Sequence, residues 1–416
     1  MRNIICYIII ITLSACNSVV ENINTNKEFH ETYKLTLIDS ISFPLDAESQ
    51  PLNECMQIYH KPHSDSILFT FYNEYNNSIY LYNYHKPENY QIIHLEKEGP
   101  NGVYPYASGY HIKTLDSIYF YSMYVDKIFL LNRDGNIKET YDLLANVPSD
   151  IYRPTMRLGT GRPLYLINDK LYISGYIHGE FIREDSIKLP LSIIYDMKTK
   201  SSNLKLGYPE SYRRGNWGEV YYRELFWCYN DSIKRFILSF PNDHNIYLTD
   251  LNKTESKPGG SKYADVIKSI DHPSAFPMPK EKRILHYLES YFYSTIVYDK
   301  YRNVYYRFVK HPWINPQIKR KPWEKPLSII IFDKNMNRIG ETLVDFKYRL
   351  SSNAFLVTEE GLLLREHNDN EDEINSVLSD MMKHHRKTAH IESFTSNEFY
   401  STEWRVFPIE IIALMR

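Results

Sequence analysis

The sequence predicts an all-β protein, a β-propeller of six blades with seven as the alternative. Three observations predict it. Tyrosine supplies 37 of the 416 residues while glycine supplies only 15, and tyrosine fits the pleated, half-buried surface of a sheet. A two-strand phrase bounded by Asp, Asn or Ser turns keeps returning along the body. The copies follow one another at about 50 to 70 residues, the period of four-stranded blades carrying insertions. A pair of β-sandwiches is the competing architecture. The low glycine count sits awkwardly with a propeller, because many blade families are glycine-rich.

Composition narrows the function. Lys and Arg number 49 against 51 Asp and Glu, which argues against a nucleic-acid partner held by phosphate electrostatics. With 43% hydrophobic and 24% charged residues, the chain has the material for a core and is not disordered.

The elements follow in order. Met1-Arg2-Asn3 and the apolar run Ile4 to Leu13 make a signal-peptide pattern too short to cross a bilayer as a helix. Leu13-Ser14-Ala15-Cys16 resembles a bacterial lipobox. That resemblance implies removal of residues 1–15, acylation of Cys16 and a membrane anchor, the alternative being an ordinary secretory signal. Residues 16–33 read as the lipidated cysteine and a flexible tether, and 34–416 as the propeller domain. With Cys6 removed and Cys16 acylated, Cys55 and Cys228 remain. Export permits a disulfide between them, and two separate buried thiols fit equally well.

In the body, opening strands begin near Asp65-Ser66-Ile67, Asp116-Ser117-Ile118, Asp169-Lys170-Leu171, Asp231-Ser232-Ile233, Arg302-Asn303-Val304 and Glu360-Gly361-Leu362. Partner strands include Ile79 to Asn83, Ile128 to Asn132, Ser192 to Asp196, Ile246 to Asp250 and Ser328 to Asp333. Strand material near Leu35 to Phe43 and at Trp404 to Leu414 is expected to complete one blade from both chain ends. Tyr263 to Tyr293 breaks the rhythm with Pro273, Pro277 and Pro279 before an ambiguous apolar run from Ile284 to Phe292. Near 370–388, Ile374, Val377, Leu378, Met381 and Met382 stand at helical spacing, which predicts a short helical insertion.

Catalytic signatures are missing: there is no GxSxG elbow, HExxH pair or P-loop, so no catalytic residue is assigned. His384, His385 and His390 lack the three- or four-residue spacing of a helical metal pair. No metal or other cofactor is expected. Ca²⁺ is the one ion weighed: at Asp369 to Glu373, a run that lacks the glycine of a calcium loop, or at the axis if the protein is a hydrolase or lyase. The ligand-binding candidates lie elsewhere. Trp313 and Trp323 stand among Lys319, Arg320, Lys321 and Lys325 in a proline-stiffened stretch, which suits a sugar ring, carboxylate or peptide. Arg213, Arg214 and Trp217 offer a planar fork and a stacking face. Arg302 and Arg307 point to the propeller axis or form ion pairs with Asp299. For each group the plainer reading is structural: buried tryptophans, solvated lysines and strand-borne ion pairs.

Three phrases carry a family resemblance: Glu98-Gly99-Pro100-Asn101-Gly102, Ser261-Lys262-Tyr263, and Tyr298 to Arg307. With them the chain resembles the Bacteroidota lipoproteins grouped as domain of unknown function 4221, over roughly residues 34 to 416. The resemblance implies six blades and brings no catalytic residues across. Asn17 to Glu21 lacks the dense acidic run that marks some of these lipoproteins for surface export. A periplasm-facing outer-membrane lipoprotein is therefore favoured over a cell-surface one.

The functional expectation is a lipid-anchored extracytoplasmic binding module whose loops, on one propeller face, take a glycan or a peptide. The alternatives are a component of an envelope protein complex and a propeller hydrolase or lyase.

Overall fold

The computed structural model describes residues 19–50, 55–106, 108–178, 186–218, 220–271, 278–313, 325–344, 350–366 and 372–383. A short strand β1 (Glu21–Ile23) and a long one, β2 (Tyr33–Pro44), precede the first blade. Blade 1 is β3 (Met56–His60), β4 (Ile67–Asn73), β5 (Ser78–Asn83) and β6 (Lys86–His94). Blade 2 is β7 (Gly109–Thr114), β8 (Ser117–Ser122), β9 (Lys127–Leu131) and β10 (Ile137–Asp142). In blade 3 the inner position is shared by β11 (Thr155–Met156) and β12 (Tyr165–Ile167), followed by β13 (Lys170–Tyr176), β14 (Ser192–Asp196) and β15 (Ser201–Lys205). Blade 4 is β16 (Phe226–Asn230), β17 (Arg235–Ser239), β18 (Asn245–Thr249) and β19 (Thr254–Pro258). The connection after it holds β20 (Val266–Lys268) and α1 (Lys280–Glu289). Blade 5 is β21 (Phe292–Asp299), β22 (Val304–Lys310), β23 (Leu327–Phe332) and β24 (Arg338–Leu343). Blade 6 is β25 (Leu350–Val357), β26 (Leu362–Glu366) and β27 (Glu373–Lys383), with β2 as its outermost strand.

The chain thus closes on itself, because β2 pairs along its length with β27, from Tyr33 opposite Lys383 to Pro44 opposite Glu373. Early strand material does complete the last blade, and its described partner is β27. The expected late partner, Trp404 to Leu414, lies outside the described residues.

The conspicuous sequence phrase proves to be the second and third strand of each blade, not the first. Those strands have hydrogen-bonded neighbours on both edges and pack both faces against adjacent blades. In blade 5, every residue of β23 is buried. The apolar clusters lie between blades: Phe43, Phe71, Tyr80 and Leu363 join blades 6 and 1, and Tyr119, Tyr141, Ile173 and Ile193 join blades 2 and 3. The tyrosine excess serves these seams. Tyr80 stacks on Phe71 with centroids 4.9 Å apart, and its hydroxyl reaches Asp46 and Asn76 at the seam's edge.

The hairpins explain the repeated Asn or Asp. Asn83, Asn132, Asp196, Asn230, Asp250, Asp299 and Asp333 each accept, through Oδ1, one or two backbone N–H groups two to four residues on. This short-range bond fixes the turn without a glycine. Asn303, Asn168 and Lys234 take positive φ of 54°, 50° and 54° in such turns. Hence the blades need little glycine.

Two expectations are corrected. The helix expected near 370–388 is strand β27 where it is described. Its apolar residues line both faces of a strand sandwiched between two blades, a burial pattern that helical spacing can mimic. The one α-helix among the described residues is α1, in the stretch where the apolar run was ambiguous. The flexible tether expected over 16–33 is packed from Val20 onward, with β1 pairing β20 from Glu21 opposite Lys268 to Ile23 opposite Val266.

Candidate functional site

Antiparallel blades send their connections to two faces. On one face are the hairpins between first and second and between third and fourth strands, each two to six residues long. On the other are the crossings between blades and the turns between second and third strands. These include 95–108, 143–154, 177–191, 206–225, 259–291 and 311–326. Function on a propeller belongs to such connections, because the blades themselves are committed to packing.

A loop of blade 3 reaches across the inner strands of the ring. Between β11 and β12 the inner strand of blade 3 is interrupted by Arg157-Leu158-Gly159-Thr160-Gly161-Arg162-Pro163-Leu164. This loop touches the innermost strands of four other blades. Thr160 Oγ1 accepts from Met56 N of blade 1 at 2.9 Å, and Leu158 packs on Gly109 of blade 2. Pro163 O accepts from Trp227 Nε1 of blade 4 at 3.1 Å. A Cβ on Gly161 would overlap Thr295 Oγ1 of blade 5, so glycine is needed for that approach. Cys55, Gln57 and Tyr110 line a small cavity beside this loop, with room for ordered water.

Around this loop lies an arginine-rich cluster. Glu224 is buried and bridges Arg157 Nη1 at 2.9 Å and Arg162 Nη1 at 2.5 Å. Arg162 also lies over the Phe226 ring, 5.2 Å from its centroid. Tyr176, whose phenol burial pushes up, lies within electrostatic range of Arg157, Glu224, Arg223 and Arg162. The Arg157 side chain keeps 32% of its surface exposed, whereas Arg162 and Glu224 beside it are buried. A planar fork in that position matches a carboxylate, sulfate or phosphate. Sequence inspection missed this cluster because its members sit apart in the chain with no motif spacing. The paired glycines of Gly159-Thr160-Gly161 were the available signal.

Exposed large apolar side chains favour the same face. Tyr75, Tyr104, Tyr106, Tyr124, Ile151, Tyr221 and Leu285 all lie on its connections. On the hairpin face the corresponding residue among those described is Ile233.

The residues singled out from the sequence are placed differently. Trp217 is buried, 3% exposed, against Tyr212, and Arg213 is tied to Glu210. Arg214 is exposed. These three therefore form no open aromatic groove. Trp313 is half-buried, with its backbone N–H donating to Leu288 O. Trp323 lies outside the described residues, as do Lys319 to Lys321, His384, His385, His390 and Cys16. Lys325 is buried, its ammonium donating to Tyr287 O and Ser290 O. Arg307 does not reach the axis. It is fully buried and donates to Ser239 Oγ and to the carbonyls of Phe240, Asp243, His244 and Gly259 in and after blade 4. Arg302 sits on the hairpin face, paired with Asp299 at 3.3 Å and Asp380 at 2.7 Å. Burial separates Trp217 and Arg307 from solvent, because a strand-borne arginine such as Arg307 finds its acceptors in the neighbouring blade.

The other sequence phrases are structural as well. Gly99 has φ +90° and its carbonyl accepts from Gly102 N, which makes Glu98 to Gly102 a turn. Ser261 and Lys262 clamp Glu341: Ser261 Oγ donates to Oε1 at 2.6 Å and Lys262 N to Oε2 at 2.8 Å. Ser328 donates to the same Oε1 and lies 2.8 Å from His311 Nε2. Cys55 and Cys228 are buried and form no disulfide with each other. Among the described residues no group of three His, Cys, Asp or Glu is placed to hold a metal, and no helix is long and apolar enough to cross a membrane.

Comparison with known proteins bears on the whole architecture. The family model "Domain of unknown function (DUF4221)" matches residues 32–343. A crystal structure of a DUF4221 member from Bacteroides vulgatus ATCC 8482 superposes with TM-score 0.73 at 21% identity, covering 86% of this chain and 100% of that one. A candidate exported protein from Bacteroides fragilis gives TM-score 0.48 at 12% identity, covering 84% and 96%. Aldose sugar dehydrogenase from Streptomyces coelicolor gives 0.41 at 10% identity, covering 83% and 99%. The first likeness shows the shared six-bladed fold, and the other two are too distant to argue from. No curated protein matches the sequence.

Proposed function

The chain belongs to the DUF4221 family, and from the lipobox-like Leu13-Ser14-Ala15-Cys16 and the build of its two faces we propose that it is a lipid-anchored, extracytoplasmic binding module taking its ligand on the loop-bearing face. One observation carries the reading: the two faces are built unequally. The hairpin face is closed by short Asx-bonded turns, while the other bears the long connections and nearly all the exposed tyrosines found on connections. The ligand class is an anionic glycan or an acidic peptide. Arg157, partly exposed beside Glu224 and Arg162, is the partner for its negative group. Acylated Cys16 holds the module at the outer membrane, facing the periplasm. The reading includes no catalytic step, no cofactor and no nucleic acid.

Thermal unfolding of the mature chain carrying Cys16→Ser tests it against acidic oligosaccharides, acidic peptides and Ca²⁺, each with an EDTA arm. A ligand at about 100 times its Kd adds about 2.7 kcal/mol of stability, and Arg157→Ala abolishes that gain. A melt sensitive to EDTA redirects the assignment to a metal-assisted hydrolase or lyase. A flat response across the panel redirects it to a protein partner in an envelope complex.

A further inference from the structure

The segment before β2 is a strap built into the fold. Val20 N donates to Ser269 Oγ and Val20 O accepts from Ser269 N, both at 2.8 Å. After the β1–β20 pairing, the buried Asn24 side chain donates to Ser261 O and Ala264 O at 2.8 and 2.9 Å. Lys27 pairs with Asp265 and Glu31 with Lys262. Gly215, at φ +83°, leaves the space that Val20 and Ser269 occupy. Ser269 belongs to the connection 259–291 and Gly215 to 206–225, so the strap enters the molecule on the loop-bearing face.

Cys16 stands four positions before Val20, and four residues of fully extended chain reach about 14 Å at most. A lipid on Cys16 therefore has no long tether from which the domain could turn freely. We infer that the loop-bearing face is held against the bilayer surface, with exposed tyrosines of its connections as the contact; this rests on the lipid anchor proposed above. A second observation points the same way without reference to Cys16. Tyr124 is 73% exposed, Tyr75 63%, Tyr106 61% and Leu285 53%, and all four lie on that face. Amphipathic tyrosine rings settle at the level of lipid headgroups, apolar body inward and hydroxyl wet. The occupant of this surface is the phospholipid interface, and the ligand of the arginine cluster is then taken at the membrane.

Lipid-borne quenching tests this on the full lipidated chain in phospholipid vesicles containing spin-labelled lipid. Two variants each carry one fluorophore, through Tyr124→Cys on the loop-bearing face or Ile233→Cys on the hairpin face. Both positions are exposed, and the buried Cys55 and Cys228 stay unlabelled in the folded chain. The expected result is quenching several-fold stronger at 124 than at 233. Equal quenching, or stronger quenching at 233, overturns the inference and leaves the anchor standing. Mass spectrometry of Cys16 separates the two failures: an unmodified cysteine on a chain that does not bind the vesicles overturns the anchor, and the inference with it. Matching melting temperatures of both variants confirm that each is folded.

Discussion

The Arg302 guanidinium donates through Nε to Oδ1 of Asp380, 2.7 Å away, and so fastens a hairpin of blade 5 to β27 of blade 6. The same group donates to the carbonyls of Thr358 and Glu359 and lies 3.3 Å from buried Asp299. Since β27 is also the strand on which β2 closes the ring, this pair braces the closure.

A double-mutant cycle with Arg302→Ala and Asp380→Asn is expected to give a coupling of about 0.5–1 kcal/mol, modest because both side chains keep some exposure. Arg302→Ala alone should cost about 1–2 kcal/mol, since backbone acceptors also lose their donor. Urea unfolding measures both, and strictly additive effects would remove the brace from the account.

Arg307 is the larger liability. Its five acceptors are buried, its guanidinium lies over the Tyr293 ring 4.0 Å from the centroid, and burial draws its pKa down to about 10. Arg307→Met should destabilise by about 2–4 kcal/mol by orphaning polar groups between blades 4 and 5. Arg157→Ala, partly exposed, should cost far less; a reversed order in the urea midpoints would contradict these placements.

Stability should fall as the pH drops below neutrality. Burial lowers His244 to about 4 and His311 to about 3, whereas the unfolded chain protonates histidine near 6.5. Above pH 6.5 neither state takes the proton and the stabilisation is complete. From 6.5 down to about 4 and about 3 respectively, the unfolded state binds a proton that the folded state refuses. The loss reaches about 1.4 kcal/mol per pH unit for each histidine. Glu341, whose carboxyl burial pushes up, acts in the opposite direction in acid. Urea midpoints between pH 7.5 and 5 should show the decline, with His311→Asn shallower than the parent. A flat profile would mean that these rings are solvated.

The blade 3 loop predicts a steric coupling. Gly161→Ala forces a methyl onto Thr295 Oγ1 and should cost about 1–3 kcal/mol. Thr295→Ala in the same chain should recover part of that loss, because the hydroxyl is the nearest obstacle. Thermal melts of the single and double variants read it directly, and no recovery would mean that the loop avoids β21.

Cys55 and Cys228 are both buried, and burial pushes the Cys228 thiol up. With Cys16 replaced, the folded mature chain should resist a thiol reagent and release two equivalents in denaturant without reductant. Zero equivalents in that denaturant would establish a Cys55–Cys228 disulfide instead.

The sequence by itself determined the fold class and its period. The Asp and Asn of each hairpin act within four residues of themselves, and the middle strands carry their double burial as dense apolar runs. Such local signals are readable without coordinates. They misled where one pattern served two structures: Ile374, Val377, Leu378 and Met381 suit a helix or a strand buried on both faces, and only pairing with β26 and β2 decided between them. The tether looked free because its partners, Ser261 to Ser269, lie more than 200 positions away. For the candidate site the tertiary structure decided almost everything. It carried Arg307 and Trp217 into the core, set Arg302 on the hairpin face, and brought Arg157, Arg162 and Glu224 together at the blade 3 loop. Burial and convergence of distant residues are properties of the closed ring, and no short window of the chain contains them.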